Sequence, residues 1–477
     1  MTDLVFADGI DGSIVQNASF VLKRINRHGL ITGATGTGKT VTLQTVAESM
    51  AKAGIPVFVT DVKGDLSGIA LPKQIGIPTP PAVFWDVLGK QGHPVRATIQ
   101  DFGAVLLGQL LDLSDVQRSV LEMAFHVARD KNLLLVDLKD LQAVLQDIAE
   151  NAKAISADYG LVSPATIAAI QRGLLSLQNE GGDVFFGEPA LDLNDLMRCD
   201  EQGRGYINIL AASELFHRPR LYACFLLWLL TELFETMPEA GDLPVPKLAL
   251  FFDEAHLMFD NAPKILLDRV EQVVRLIRSK GIGVYFVTQN PADIPEAVQG
   301  QLGNRIQHAL RAFTPVEMKR VKAAANSLRA NPAFDTEKVI GELSVGQALV
   351  STLDASGAPT IVERVKVRLP DTRLGPLQPM EQRQLMMLSP VAGKYDAAID
   401  RESAYENLQA RRAEKERLAA IQAEQAPVKG QKKSGRRSDT FGEAMTKSVI
   451  RSASSQIGRQ VANTLVRGIL NAFLKKR

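Results

Sequence analysis

Cysteine is scarce in this sequence and histidine is never clustered: Cys199 and Cys224 stand alone, with no CxxC pair, among 477 residues. That spacing argues against a disulfide framework or a zinc site and fits a reducing compartment. The N-terminus lacks a basic segment leading into an apolar stretch, so no secretory signal is read. Nor does any apolar run reach the ~20 residues needed to cross a bilayer. The best candidate, residues 221–234, is interrupted by Glu232 and reads as a buried core helix. A cytoplasmic protein without internal repeats is expected. An excess of one charge is also missing, since the net charge is only +2, but its distribution is uneven. Residues 401–477 hold 17 Lys and Arg against 7 Asp and Glu, leaving 38 against 46 in the rest. A uniformly basic nucleic-acid-binding body is thereby excluded, and any electrostatic footprint sits in the tail or in local loops.

What is present is the composition of a soluble, packed chain, 45% hydrophobic and 23% charged, long enough for two or three units. Short apolar runs alternate with helical spacing. Residues 29–32, 55–60, 247–252 and 283–288 read as strands, the last two as continuous apolar runs of the kind buried in a parallel sheet. Residues 41–50 have helical spacing. The pattern predicts an α/β fold with a mainly parallel sheet. Its expected parts are an N-terminal half of the core over 1–100 and a mainly helical insertion over 101–245. A second core half follows over 246–375, then a helical, basic tail over 376–477. Within the insertion, residues 116–128 and 133–148 read as helices and 206–210 as the one clear strand. Residues 347–353 and 360–369 read as closing strands, 401–425 as a helix, 430–437 as a basic linker, and 448–474 as a basic amphipathic helix.

The strongest chemical signal follows the first core strand. Gly33, Ala34, Thr35, Gly36, Thr37, Gly38, Lys39 and Thr40 form a GxxxxGK[ST] loop. In such a loop backbone N–H groups close around the α- and β-phosphates, the lysine reaches the β/γ-phosphates, and the threonine hydroxyl ligates Mg²⁺. The helix beginning at Val41 adds its positive N-terminal end. Residues 33–41 are the expected nucleotide site. The matching half is Phe251-Phe252-Asp253-Glu254, an apolar strand ending in two acids. Asp253 is expected to orient Mg²⁺, with Thr40, and Glu254 to polarise water for attack on the γ-phosphate. No Asn-Lys-x-Asp is present to read guanine, so ATP is expected.

Other positions carry two readings. Gln289 ends the next strand, placed either to sense the γ-phosphate or attacking water or to cap the strand. Asp61 and Asp65 would assist metal or water, or cap a β–α turn. Arg275, Arg278, Lys280, Arg305 and Arg311 flank the last core strands. A phosphoryl-transfer site needs a cation on the developing charge, often from a neighbouring subunit; Arg278 is the first choice and Arg305 the second. Lys264 and Arg269 are candidates for a basic pore. His28 and His256 have no metal-spaced partner and read as packing or hydrogen-bonding residues.

Residues 27–40, 61–68, 252–256, 288–291 and 346–351 together resemble the bacterial HerA-like ATPases, of the HerA/FtsK branch of P-loop motor ATPases and its helicase HerA-like C-terminal group. The resemblance covers about residues 20–375. It implies a RecA-like core, a hexameric ring with sites between subunits, and translocation of double-stranded DNA through the pore. Gln347 stands where that pattern has Glu. Residues 1–20 are too few for the barrel by which archaeal HerA binds its nuclease partner. Two other classes fit the residues: an ATP-switched scaffold holding an anionic membrane or protein partner through residues 430–477, and a secretion-type ATPase moving polypeptide.

Overall fold

The structure, a computed structural model, describes residues 3–425 apart from 11–16, 154, 156–159, 161, 242 and 261. The linker and helix expected over 430–437 and 448–474 lie outside the described residues. A compact unit spans Met1–Ala413, and a second begins at Glu414. Of the second, the described part is the C-terminal stretch of the helix Ala404–Gln425, where Arg417 pairs with Glu414 at 3.7 Å.

Among the described residues, twelve strands form one sheet. In chain order they are β1 (Asp3–Gly9), β2 (Asn17–Val21), β3 (Gly29–Thr32), β4 (Val57–Asp61), β5 (Ala82–Asp86) and β6 (His93–Pro94), then β7 (Ile207–Ala211), β8 (Leu248–Phe252), β9 (Ile282–Thr288), β10 (Asn304–Gln307), β11 (Gln347–Ser351) and β12 (Glu363–Val367). Across the sheet they run β2-β1-β12-β11-β10-β3-β9-β8-β4-β7-β5-β6. Every pairing from β10 through β6 is parallel, and every pairing from β10 to β2 is antiparallel. The loops leaving β3, β4, β8 and β9 therefore emerge along one edge, where ligands of open α/β sheets bind.

The apolar runs explain the centre. All residues of β3, β4, β8 and β9 are buried, as a sheet covered on both faces requires. Alternation along each strand divides them between two cores: Leu248, Leu250 and Phe252 enter one, Ala249 and Phe251 the other. Helices Asp115–Asp130, Leu138–Glu150 and Pro164–Leu177, between β6 and β7, contribute to the larger core together with Pro219–Thr236 and Lys264–Leu276. The helix Lys39–Lys52 contributes to the other. Helices Pro315–Asn326 and Thr336–Glu342, between β10 and β11, build a small third core.

Some boundaries differ from those expected. The helix read over 133–148 starts at Leu138, because Asp137 caps it and Asp140 accepts the N–H groups of Val136 and Asp137. The strand read over 206–210 is β7, and it lies inside the sheet between β4 and β5. Among the described residues no helix is long and apolar enough to cross a membrane.

Candidate functional site

The loop between β3 and the helix Lys39–Lys52 is gripped from the side of β10 and β11. Gly33 packs so closely that a Cβ there would lie 2.4 Å from His308 Cβ. The Ala34 N–H donates to the Ala309 carbonyl at 2.8 Å, and the Gly346 N–H donates to the Thr37 carbonyl at 3.1 Å. His308 lies between: its Nδ1–H donates to the Gln347 carbonyl at 2.9 Å, and Nε2 accepts from the Thr42 hydroxyl at 2.8 Å. Burial pushes the His308 pKa down to about 4, so this ring is neutral, and the two partners fix its tautomer. The sequence alone gave no reason to single out His308.

Gly38 caps the helix in a left-handed conformation, φ 110°, and brings no side-chain oxygen to the first turn. The orphan N–H groups there are left for an anion. Lys39 Nζ lies over the loop, donating to the Gly33 and Ala34 carbonyls at 2.6 and 3.0 Å. Thr40 and Val41 are half-buried in that first turn.

The acids arrive from β8. The Asp253 N–H donates to Thr60 Oγ1 on β4 at 3.1 Å, which locks the strand end. Asp253 Oδ2 is buried and has no hydrogen-bond partner among the described residues. Burial and then the neighbouring Glu254 charge push its pKa up to about 7. A buried carboxylate oxygen without a partner, close enough to Lys39 for their charges to interact, fits a divalent cation, and Asp253, with Thr40 of the first helical turn, would hold one. Glu254 is also buried, with a left-handed backbone, φ 47°. Its carboxylate is ion-paired with Lys63, from the loop after β4. Burial alone would raise the Glu254 carboxyl, but the Lys63 hydrogen bond and charge outweigh it and hold it below the usual range.

Gln289, at the end of β9, ties these parts together through two long contacts. Thr35 Oγ1 donates to its Oε1 at 3.4 Å, and its Nε2 donates to Glu254 Oε2 at 3.4 Å. Lys39, Asp253, Glu254, Lys63 and Gln289 thus converge at the C-terminal edge of the sheet. Lys63, like His308, has no spacing that marks it in the sequence, although it lies between Asp61 and Asp65.

Most of the remaining candidates lie outside this convergence. Asp61 caps its own turn, accepting the N–H groups of Gly64, Asp65 and Leu66. Arg278 is exposed and precedes β9, so it sits at the opposite edge of the sheet, roughly 20 Å from the loop by strand length. Arg305, within β10, donates to the Gln299 carbonyl at 2.9 Å and is held inside its own chain. Lys280 donates to the Met237 carbonyl, Arg311 to those of Gly341 and Leu343, and Arg269 is engaged by Thr231, Gln272 and Glu235. His28 accepts from the Val284 N–H, in keeping with a hydrogen-bonding role. His256 Nδ1 lies 3.3 Å from Glu254 Oε2.

Known proteins are similar to this chain. DNA double-strand break repair helicase HerA of Sulfolobus acidocaldarius is 20% identical over 342 residues, covering 69% of this chain. The chain spans 63% of that relative's length. Among solved structures, VirB4 of Thermoanaerobacter pseudethanolicus superposes with a TM-score of 0.53 at 16% identity, over 77% of this chain and 97% of its own. The plasmid coupling protein TrwB in complex with ADP and Mg²⁺ gives 0.52 at 13% identity, over 75% and 89%. Likeness at these identities establishes the fold, a RecA-like P-loop α/β core. The helicase HerA-like C-terminal family matches residues 9–477, which takes in the phosphate loop, both acids and Gln289. On that span the chain belongs to the helicase HerA-like C-terminal family.

Proposed function

We propose that this protein is an ATPase that works as a ring, six copies in the expected form, and couples ATP hydrolysis to movement along double-stranded DNA. The observation that carries the ATPase reading is the convergence of Lys39, the unpartnered Asp253 oxygen, Glu254 and Gln289 on one loop. Residues 33–41 bind the phosphates. Lys39 and the open N–H groups of the first helical turn meet the β- and γ-phosphate charge. Mg²⁺, held by Thr40 and Asp253, would supply charge neutralisation to the β- and γ-oxygens. Gln289 orients the attacking water, and Glu254 accepts its proton. Arg278, exposed and remote from its own loop, is available to a neighbour's site across a subunit interface. The DNA part of the reading is supported by kinship with a DNA repair helicase. The test is the steady-state ATPase rate with and without duplex DNA, on material sized by light scattering. A several-fold stimulation in a ring-sized assembly is expected. A rate indifferent to duplex DNA would remove the DNA part of the reading.

A further inference from the structure

The ion pair between Glu254 and Lys63 opposes the chemistry assigned to Glu254. A carboxylate takes a proton from water only through an oxygen that is free to receive it. Here one oxygen is held by the Lys63 ammonium, while the other faces Gln289 Nε2 at 3.4 Å and His256 Nδ1 at 3.3 Å. Glu254 cannot easily turn away, because its side chain is only 5% exposed and its backbone is set in the left-handed region. The cation is the accessible partner. The Lys63 side chain is 43% exposed, and its loop continues into Gly64 at φ 75°. Lys39, anchored on the loop carbonyls, is the lysine committed to the nucleotide. An exposed ammonium at the open edge of the sheet is a point charge that an outside phosphate oxyanion can reach.

We propose that Lys63 is a positioning residue that restrains Glu254, and that a backbone phosphate of bound duplex DNA releases Glu254 by taking over the Lys63 ammonium. This inference rests on the reading of the chain as a DNA-stimulated ATPase and supplies the means of stimulation. Without polymer, the proton acceptor is occupied and turnover is slow. With polymer, Lys63 shifts its charge to the phosphate and Glu254 is free to polarise water. Exchange of one ionic partner for another also makes the stimulation weaken as salt rises.

The test is steady-state kinetics of the full chain carrying Lys63→Met. Its kcat without DNA should rise several-fold, to about the rate that duplex DNA induces in the unaltered protein. The KM for ATP should stay the same, and added duplex DNA should bring no further increase. Lys63→Arg, which keeps the cation, should restore the response to DNA. Adding Glu254→Gln to Lys63→Met should abolish the gain, because the gain passes through that carboxylate. A fall in kcat or a rise in KM for ATP in Lys63→Met would overturn the proposal, since Lys63 would then serve the nucleotide or the active form of Glu254. A raised basal rate that duplex DNA still multiplies by the same factor would overturn the phosphate exchange. If the unaltered protein ignores duplex DNA, the DNA-motor reading fails on its own, while the basal rate of Lys63→Met still decides whether Lys63 restrains Glu254.

Discussion

Acid should act on this fold through His308, and the size of the effect follows from where the ring sits. His308 is fully buried between Thr42 and the Gln347 carbonyl. Burial, only partly opposed by the Gln347 hydrogen bond, pushes its pKa from 6.5 to about 4. The folded value lies below the unfolded one, so the stability tied to the neutral ring is fully present above pH 6.5. It is lost as pH falls from 6.5 towards 4. At pH 5 the loss relative to pH 7.5 is about 2 kcal/mol, a large share of the ~5–15 kcal/mol by which domains are stable. Total stability is the wrong readout. Burial raises the Asp253 and Asp61 carboxyls to about 7 and about 6, and such groups gain stability as pH falls over the same interval. His28, buried and also near 4, adds its own loss. The comparison of the unaltered chain with His308→Gln cancels these shared terms. Glutamine cannot protonate, and it cannot meet both the Thr42 hydroxyl and the Gln347 carbonyl as the ring does. His308→Gln should therefore be the less stable protein at pH 7.5. By chemical denaturation, the gap should shrink by about 2 kcal/mol at pH 5. A gap of equal size at both pH values would refute a neutral, buried His308 and the bracing role drawn from it.

Three further outcomes test the site. Lys39→Ala should weaken ATP binding roughly 10- to 100-fold, by loss of a charge-assisted contact, whereas Glu254→Gln should bind ATP normally and lose about 10²–10⁴-fold in kcat; equilibrium binding and turnover on the same samples separate the two. Gly33→Ala places a methyl 2.4 Å from His308 Cβ and 2.9 Å from Thr37 Oγ1, so it should cost about 1–3 kcal/mol of stability and impair nucleotide binding, read by thermal unfolding with and without ATP. Arg278→Ala subunits should bind ATP without hydrolysing it and recover activity when mixed with Glu254→Gln subunits; no recovery despite demonstrated subunit exchange would place Arg278 outside the site of a neighbour.

The centre of the fold was legible because buried parallel strands are written as apolar runs. Residues 247–252 and 283–288 match β8 and β9 within one residue, and residues 29–32 are β3 itself. β10 is hidden in the sequence for the opposite reason. It reads Asn-Arg-Ile-Gln, and Asn304 and Gln307 are buried because folding supplies their partners. Asn304 Nδ2 reaches the His28 carbonyl at 2.9 Å, and Gln307 Oε1 accepts from Thr32 at 2.7 Å. β7 reads as a strand in the sequence but stands among helices in the chain. Its place between β4 and β5 depends on pairings more than a hundred residues distant in sequence, Val57 with Ile207 and Trp85 with Leu210.

The same division holds at the site. The phosphate loop and the paired acids announce themselves because their chemistry is local: glycines beside a lysine, two acids after an apolar strand. Lys63 and His308 act through partners distant in the chain: Glu254 lies 191 residues from Lys63, and Thr42 lies 266 residues from His308, which also holds the Gln347 carbonyl. Neither has a spacing that chemistry requires, so a lysine in a loop and a histidine after a polar strand read as surface or core until the sheet is assembled. Order across the sheet supplies the missing term. β10 is parallel to β3 and ends beside the phosphate loop, which sets His308 against Gly33. β4 is parallel to β8, which sets the loop carrying Lys63 beside the acid that ends the neighbouring strand. Residues that define the reaction are therefore encoded in motifs, while residues that brace or restrain it are encoded in strand order, and they have to be sought at the ends of neighbouring strands.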